Sequence, residues 1–442
     1  MRFTITDINH YTENCEISVL EQGIGTKPTL IIEGSFIGIN SEVTIGKYSV
    51  IGNNSAVTKG VCDYVVVVGF PARIIRRMKW FMKNFTTLFL ECEKNVLNKD
   101  VGQIPYRLSK YYIGTIASME LDSDDVISDI TPGLKVYNIR KIVNGTVSGI
   151  YFLLKNSKKI DILNMYHCRK RVYIFAKLYK LLNKCGLVYI KLDAGNTTLE
   201  KIERDKIYRR LFYKLTKISD VVSSESKTIL KSLERYSSKK IDLIPNGVPY
   251  VCASVPVKKN VFFTAGRIGA PEKNNEIMLE AFSKVSDKCD WELHFVGKIE
   301  EAFAIYIENF FDKHPKLRDR VVFYGEITDR KELYKIYADN KVFMLPSKFE
   351  NFSLACVEAL ANGCYLILSD QVSPKLDFTD DWKYGMEVKV NDVDDLADKM
   401  LKVTQMNIDE KLISEIISYA RENFLWENIC DRLHDVLIEK EI

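Results

Sequence analysis

Two hydrophobic periods divide the chain. Up to about residue 80, aliphatic residues recur every six positions, at Ile39, Ile45, Ile51 and Val57, and Gly46 and Gly52 directly follow two of them. Val43, Ser49 and Ser55 stand four positions after three of them. A period of six is neither helical nor a two-residue alternation. It predicts a parallel β-helix, in which one aliphatic side chain per short strand stacks inside the coil. From residue 86 the pattern changes to short apolar runs alternating with amphipathic helical stretches. Strands are predicted at 86–92, 112–118, 134–138, 159–163, 187–192, 219–223, 240–244, 260–265, 291–296, 320–324, 341–346 and 364–368. Strands alternating with helices predict βαβ units and doubly wound parallel sheets. Proline and glycine interrupt the pattern near Pro245–Ser254, which places a boundary there. The predicted organisation is a β-helix segment over 1–80, then two Rossmann-like α/β domains over 86–250 and 251–442.

Composition narrows the class. With 442 residues, 46% hydrophobic and 28% charged, the chain reads as globular and too long for one ordinary domain. No 18-residue apolar run predicts a membrane-spanning helix. The N-terminus MRFTITDINHYTENCE carries acids and lacks the apolar core of a secretory signal. Ten cysteines without a CxxC pair argue against a zinc ribbon or a disulfide scaffold, and predict reduced thiols in a cytoplasm. Five histidines (His10, His167, His294, His314 and His434) limit histidine-based chemistry.

The net charge of +4 hides an asymmetry. Residues 151–240 hold 22 Lys and Arg against 8 Asp and Glu, whereas residues 251–442 hold 25 against 35. The basic excess lies on helical stretches. Over 169–184, Val172, Phe175, Leu178, Tyr179 and Leu182 form one stripe, with Arg169, Lys170, Lys177, Lys180 and Lys184 largely off it. The pattern is that of a solvated cationic face, or of a surface that docks on an anionic membrane leaflet. No nucleic-acid motif accompanies it.

Two segments of the second half carry candidate chemistry. After the strand 260–265 come Gly266, Arg267 and, seven positions past the glycine, Lys273, followed by a helix with Ile277, Met278, Ala281 and Phe282. A glycine turn with two cations before a helix N-terminus suits a diphosphate, because free N–H groups and the positive dipole end lie there. After VFMLPS comes Ser347-Lys348-Phe349-Glu350-Asn351-Phe352-Ser353-Leu354-Ala355-Cys356-Val357-Glu358. Glu350 falls in a loop, Phe352 to Leu354 at the start of a helix, and Glu358 two turns into it. Alone, each segment also reads as solvated loop or surface-helix charge. Asp380-Asp381 and Asp394-Asp395 are expected in solvated surface turns, and no metal site is predicted.

The Glu-x7-Glu pair within "PS.fE.F…EAlA.G" resembles retaining nucleotide-sugar glycosyltransferases of glycosyltransferase family 4, which have the two-Rossmann-domain GT-B fold. Ile244-Pro245-Asn246-Gly247-Val248 is similar to that family's "iPNGv" turn. Tyr324-Gly325 with Glu332, Leu333 and Tyr337, and the helix start at Asp392 to Leu396, follow in the expected order. The resemblance covers residues 86–442. It implies an acceptor domain over 86–250 and a nucleotide-sugar donor domain over 251–442. Donor contacts would come from Gly266, Arg267, Lys273, Asn246, Phe352, Ser353, Leu354 and Glu358, the last on the ribose hydroxyls. Glu350 would orient the donor sugar, and no cofactor or metal is implied. Asp193, at the end of strand 187–192, stands near where relatives place a histidine or aspartate beside the reacting sugar, and is the second catalytic candidate. Gly102, in Lys99–Tyr106, and Lys191 are assigned to the acceptor side. Ser223, Ser224 and Ser226 are read as caps of the next helix.

The segment IGKYSVIGNNSAVTKGVCDYVVVVGFPARIIRR resembles the end of left-handed β-helix acyltransferases, with Gly69, Pro71 and Ala72 in the closing "V(V/I)GxPA" turn. Only four hexads, over 39–62, are in register, and His10 is the one histidine of the segment. It is therefore read as a remnant that stabilises or oligomerises the chain. The expected function is a cytoplasmic, membrane-peripheral transferase moving sugar from a nucleotide-sugar to a glycan or lipid-linked glycan of a surface polysaccharide. The alternatives are a bifunctional sugar O-acyltransferase, a nucleotide-sugar epimerase of the same fold, or a non-catalytic scaffold.

Overall fold

The computed structural model describes residues 30–31, 37–39, 43, 45, 49–52, 55–61, 65–77, 82–121 and 130–440. They form two compact units, Met1–Met82 and Lys83–Ile442. His10, Gly46 and most of the irregular coil expected over 15–38 lie outside the described residues.

The first unit holds β1 (Leu30–Ile31), β2 (Ile37–Ile39), β3 (Val50–Ile51), β4 (Ser55–Val57), β5 (Val65–Val68) and β6 (Arg73–Arg77). They pair in the orders β1-β3-β5-β6 and β2-β4. Every pair is parallel except β5 with β6. Ile37 pairs with Ser55 and Ile39 with Val57, eighteen residues on. Ile51, Val57, Val61, Val65 and Val67 form a small core with half-buried Val43, Ile45 and Ala72 against it.

The second unit begins with a seven-stranded sheet. Its strands are β7 (Asn84–Leu88), β8 (Ile113–Ser118), β9 (Lys135–Asn138), β10 (Ile162–Tyr166), β11 (Leu187–Lys191), β12 (Val221–Ser224) and β13 (Asp242–Leu243). Their order is β13-β12-β11-β10-β7-β8-β9, parallel throughout. The central strands read ILNMY and LVYIK because helices cover both faces, so no polar alternation is needed. The helices are α1 (Asp100–Arg107), α2 (Gly145–Asn156), α3 (Lys170–Leu182), α4 (Asn196–Arg204), α5 (Lys206–Ile218) and α6 (Lys227–Glu234). Phe152, Phe175, Tyr179, Phe212 and Leu215 of α2, α3 and α5 bury one face of this sheet.

The six-stranded sheet comprises β14 (Lys259–Ala265), β15 (Glu292–Val296), β16 (Val321–Phe323), β17 (Asn340–Leu345), β18 (Tyr365–Ser369) and β19 (Gly385–Val388), in the order β16-β15-β14-β17-β18-β19. Its helices are α7 (Glu276–Val285), α8 (Glu301–Lys313), α9 (Arg330–Asp339), α10 (Leu354–Ala361), α11 (Lys375–Thr379), α12 (Val393–Thr404) and α13 (Glu410–Phe424), and α14 (Trp426–Glu439) is the last described helix. In both sheets the first strand lies inside, with the second and third on one side and the fourth on the other. The strand order therefore reverses between β7 and β10 and between β14 and β17. In open parallel sheets, ligands bind beyond the carboxyl ends at such a reversal.

The predicted strands lie in these two sheets, with three differences. The strand expected at 86–92 is β7, Asn84–Leu88, and ends four residues earlier. The strand expected at 159–163 lies three residues later, because the fully buried Asn164 breaks the apolar pattern while donating to Thr87 Oγ1 at 3.0 Å. The short edge strand β19 was not predicted from GMEV. The 251–442 boundary also needs correction. Helix α14 leaves the second sheet's core and packs Trp426, Ile429, Cys430, Leu433 and Leu437 on the first sheet and α1, against Phe85, Ile162 and Tyr189 of the sheet and Ile104 of α1. Each such fully buried side chain contributes about 1.5–3 kcal/mol. Arg107 pairs with Glu427, and Tyr111 donates to Asp431 Oδ1 at 2.9 Å. Without α14, that sheet face would be covered mainly by short α1.

Candidate active site

The carboxyl ends of β14 and β17 bring the two predicted loops into contact. Gly266 leaves β14 with φ +147°, and a Cβ on Gly297 would stand 1.7 Å from the Gly266 carbonyl oxygen. Only glycine permits this backbone approach at the strand ends. Three links fasten the 266–275 loop to the loop after β17. Asn274 Nδ2 donates to the Pro346 carbonyl at 3.1 Å. Lys348 N donates to the Glu272 carbonyl at 2.8 Å. Lys273 Nζ donates to Glu350 Oε2 at 2.6 Å, with both side chains mostly buried. Arg267 is two-thirds exposed and pairs with Glu272, so each predicted cation has its own carboxylate.

Ser353 is the N-cap of α10, its Oγ accepting from Cys356 N at 3.4 Å. The first-turn N–H groups after it have no partner within the helix. Glu358, one turn on, is 7% exposed and accepts from Arg330 Nη1 at 2.9 Å. Burial raises its carboxyl above the ordinary carboxylate range, and Arg330 opposes the rise. Neither glutamate is the solvated surface charge that the sequence also allowed. Asn246 Oδ1 and Asn351 Oδ1 are buried without a hydrogen-bond partner, as are Ser347 Oγ and Ser373 Oγ.

In the first domain, the ends of β10, β11 and β12 assemble a charged cluster. Asp193 has φ +46° and His167 φ +64°, both in the left-handed region, and Asp193 Oδ2 is 3.7 Å from His167 Nδ1. Strain of this sort, at non-glycine residues, concentrates at ligand-facing sites. Burial lowers the His167 pKa, with Asp193 pulling it back up. His167 also lines a recess at the β7–β10 reversal with Phe89, Tyr166, Arg169 and Arg171. Arg171 holds Glu91 at its edge through both guanidinium nitrogens.

Lys191 is placed differently from its predicted acceptor-side role. It is fully buried, its Nζ 2.8 Å from Glu225 Oε1 and 2.7 Å from the Ile244 carbonyl. A side chain enclosed in this way braces the domain and does not reach an acceptor. Gly102 is likewise not in an acceptor loop. It lies inside α1, where a Cβ would stand 2.4 Å from the Leu97 carbonyl oxygen. Its role there is close packing of α1 on the preceding 3-10 turn. Ser226 is the N-cap of α6 but does not cap through its side chain. It donates to Asp377 Oδ2 at 2.8 Å, and that carboxylate caps Lys227 N at 3.0 Å from the other domain.

The two domains also meet at Gly195 and Asn351, where a Cβ on the glycine would stand 1.9 Å from Asn351 Oδ1. The loops that carry Asp193 and Glu350 therefore touch where the two domains meet. Sequence reasoning missed Asn351, His167, Glu225, Asp100 and Arg330. The available signal was position: His167 and Glu225 directly follow the observed strands β10 and β12, and Asn351 flanks Glu350. Among the described residues, no cluster of three or more His, Cys, Asp or Glu side chains could hold a metal ion. No helix of the described residues is long and apolar enough to cross a membrane.

Comparison with known proteins gives the following likenesses. Residues 253–423 match the family described as "Glycosyl transferases group 1". An uncharacterized 41.2 kDa protein in the cps region of Klebsiella pneumoniae is 23% identical over 312 residues, 70% of this chain and 77% of that protein. A probable acetyltransferase of Mycobacterium tuberculosis is 30% identical over 82 residues, 17% of this chain and 27% of that protein. Among solved structures, Anabaena Alr3699/HepE in complex with UDP superposes with a TM-score of 0.62 at 13% identity, covering 80% of this chain and 100% of that one. The lipopolysaccharide outer core galactosyltransferase WaaB superposes with a TM-score of 0.61 at 16% identity, covering 81% and 100%. The fold of the second unit is thus GT-B, with parallel sheets in two Rossmann-like domains, and residues 253–423 of its second domain are similar to the group 1 glycosyl transferases.

Proposed function

We propose that the protein is a retaining, nucleotide-sugar-dependent glycosyltransferase that extends a surface glycan or its lipid-linked precursor. The observation that carries this reading is the joining of the Gly266–Lys273 and Glu350–Glu358 loops at one strand-order reversal, within the segment that matches the group 1 family. Arg267 and Lys273 would neutralise the diphosphate as the sugar–phosphate bond breaks, the stage at which fixed charge lowers the barrier most. Lys273 has three N–H donors and Glu350 engages one. Glu358 would accept from the ribose hydroxyls, and Glu350 from the sugar. Gly266, Asn246 and the α10 N-terminus at Phe352, Ser353 and Leu354 would complete the donor site. Asp193, with His167 beside it, would face the reacting sugar from the acceptor side. The UDP complex of a structural neighbour supports a nucleotide donor. No metal or cofactor is part of this reading, so transfer should persist in a chelator.

The test is acceptor-dependent release of nucleoside diphosphate from a panel of nucleotide sugars. Release requiring an acceptor, with the product's anomeric configuration matching the donor's, supports the proposal. Donor conversion without acceptor would favour an epimerase instead. If Glu358→Ala left function in the native pathway intact, the enzymatic reading would fail.

Membrane docking is part of the proposal. Helices α2, α3 and α5 are neighbours on one sheet face and contain no Asp or Glu. They expose Leu154, Ile174, Leu181, Ile207 and Tyr213 among their lysines and arginines. Apolar residues within a cationic face suit an anionic leaflet on the cytoplasmic side. A second activity is favoured by the match to the probable acetyltransferase. The eighteen-residue spacing of parallel partners equals three hexads, which supports reading the first unit as a β-helix piece that stabilises, oligomerises or acylates. Acetyl-CoA turnover by the full chain, abolished by His10→Ala, would establish acylation.

A further inference from the structure

We propose that Glu225 is a positioning residue that holds Asp193 at the cleft and ties that placement to the opposite domain. The inference rests on the glycosyltransferase reading for its assay. Its physical basis is a set of contacts that reading does not use.

Glu225 follows β12 and is 2% exposed. A buried carboxylate is retained only where its oxygens are satisfied. Here Oε1 accepts from Lys191 Nζ at 2.8 Å and from Asp193 N at 3.1 Å, and Oε2 accepts from Ala194 N at 3.1 Å. Two consecutive backbone N–H groups of the Asp193 loop therefore end on one side chain from the neighbouring strand. That is the loop in which Asp193 adopts φ +46°. An aspartate in this region is strained, and the bidentate anchor offsets the strain. Lys191 neutralises the anchor from below while its remaining bond goes to the Ile244 carbonyl.

The next two residues point the other way. Ser226 Oγ and Lys227 N both bond Asp377 Oδ2 of α11 in the second domain. On the far side of the Asp193 loop, Gly195 packs against Asn351, the neighbour of Glu350. Three residues, 225 to 227, thus hold the acceptor-side loop with one side chain and the donor-side domain with the next two. A shift of α11 relative to the first sheet is passed to Asp193 through a single turn of backbone.

Glu225→Gln keeps the volume and one acceptor oxygen, and Glu225→Ala removes both. Turnover should fall on the order of 10-fold in Gln and further in Ala, with the KM for donor and nucleoside diphosphate affinity within about twofold of wild type. Because Glu225 acts through Asp193, adding Glu225→Gln to Asp193→Ala should cost no further turnover. Wild-type turnover in Glu225→Gln, or losses that multiply in the double variant, would overturn the proposal. If these variants fail to fold, the apolar pair Lys191→Met with Glu225→Leu removes the buried charges together while still deleting the anchor, and must show the same loss. In the wild-type protein the Asp193 and Ala194 amides should exchange slowly with solvent, and rapid exchange would refute the anchor without any substitution. If the wild-type chain shows no nucleotide-dependent transfer, the functional reading fails while the exchange measurement still judges the anchor.

Discussion

Lys273 and Glu350 lie 77 positions apart, yet Nζ and Oε2 meet at 2.6 Å where β14 and β17 end. The pair neutralises itself within a domain rich in acids. In the proposed donor site, binding of an anionic nucleotide would therefore rest on local groups such as Lys273 and not on the net negative charge of the domain. A diphosphate that engaged Lys273 would share it with Glu350.

Lys273→Ala should therefore weaken nucleoside diphosphate binding by about 10- to 100-fold, the loss expected for one charge-assisted hydrogen bond. Glu350 is left mostly buried without its cation, so a drop in melting temperature should accompany the loss. Calorimetric titration with nucleoside diphosphates checks the first, and a thermal melt the second.

Glu358→Gln should abolish most of the thermal shift that nucleoside diphosphates produce. Its partner Arg330 is half exposed and can turn to solvent, so the free protein should remain folded. Ligand-induced stabilisation follows affinity directly, which makes the melting shift the readout.

Asp100 begins α1 and is buried near Lys191, Asp193 and Glu225. Burial pushes its carboxyl up to about 7, with Lys191 opposing and Asp193 and Glu225 adding to the rise. The unfolded chain ionises near the ordinary 3.8. Between those values the folded state holds a proton that the unfolded state has lost, so stability falls as pH rises through that window. Asp100→Asn should flatten that slope in melting temperature against pH.

Gly195→Ala should lower turnover more than it lowers nucleotide affinity. The new methyl would overlap Asn351 Oδ1, on the Glu350 loop, and press the two domains apart there. Parallel nucleotide titration and transfer assays separate the two effects.

Vesicle flotation addresses the α2–α3–α5 face. The protein should float with anionic vesicles and stay down with neutral ones, and replacing Leu181 and Ile207 with serine should weaken flotation. Equal behaviour toward both lipids would remove membrane docking from the proposal.

Much of the second domain was legible because its signals are local. The β14 glycine turn, the helix start at Phe352 to Leu354 and the Glu-x7-Glu spacing each occupy one continuous segment, so helix and strand periods place them without tertiary information. The first domain was less legible. Lys191 looked like a cation at a strand end, yet the strand beside it supplies Glu225 and the lysine is enclosed. Gly102 looked like a loop glycine, yet α1 begins two residues earlier. Both differences come from neighbours distant in sequence, which periodicity does not report.

The sequence by itself determined the βαβ alternation, the two sheets and the loops that carry Arg267, Lys273, Glu350 and Glu358. Apolar period and backbone chemistry act over a few residues, so these features are written locally. Only the tertiary structure decided that α14 returns to the first sheet, that Asn351 meets Gly195, and that Glu225 holds the Asp193 loop while Ser226 holds Asp377. Those contacts depend on strand order and on which buried charge can find a partner. Such matches are settled by burial of the whole domain and not by any one segment.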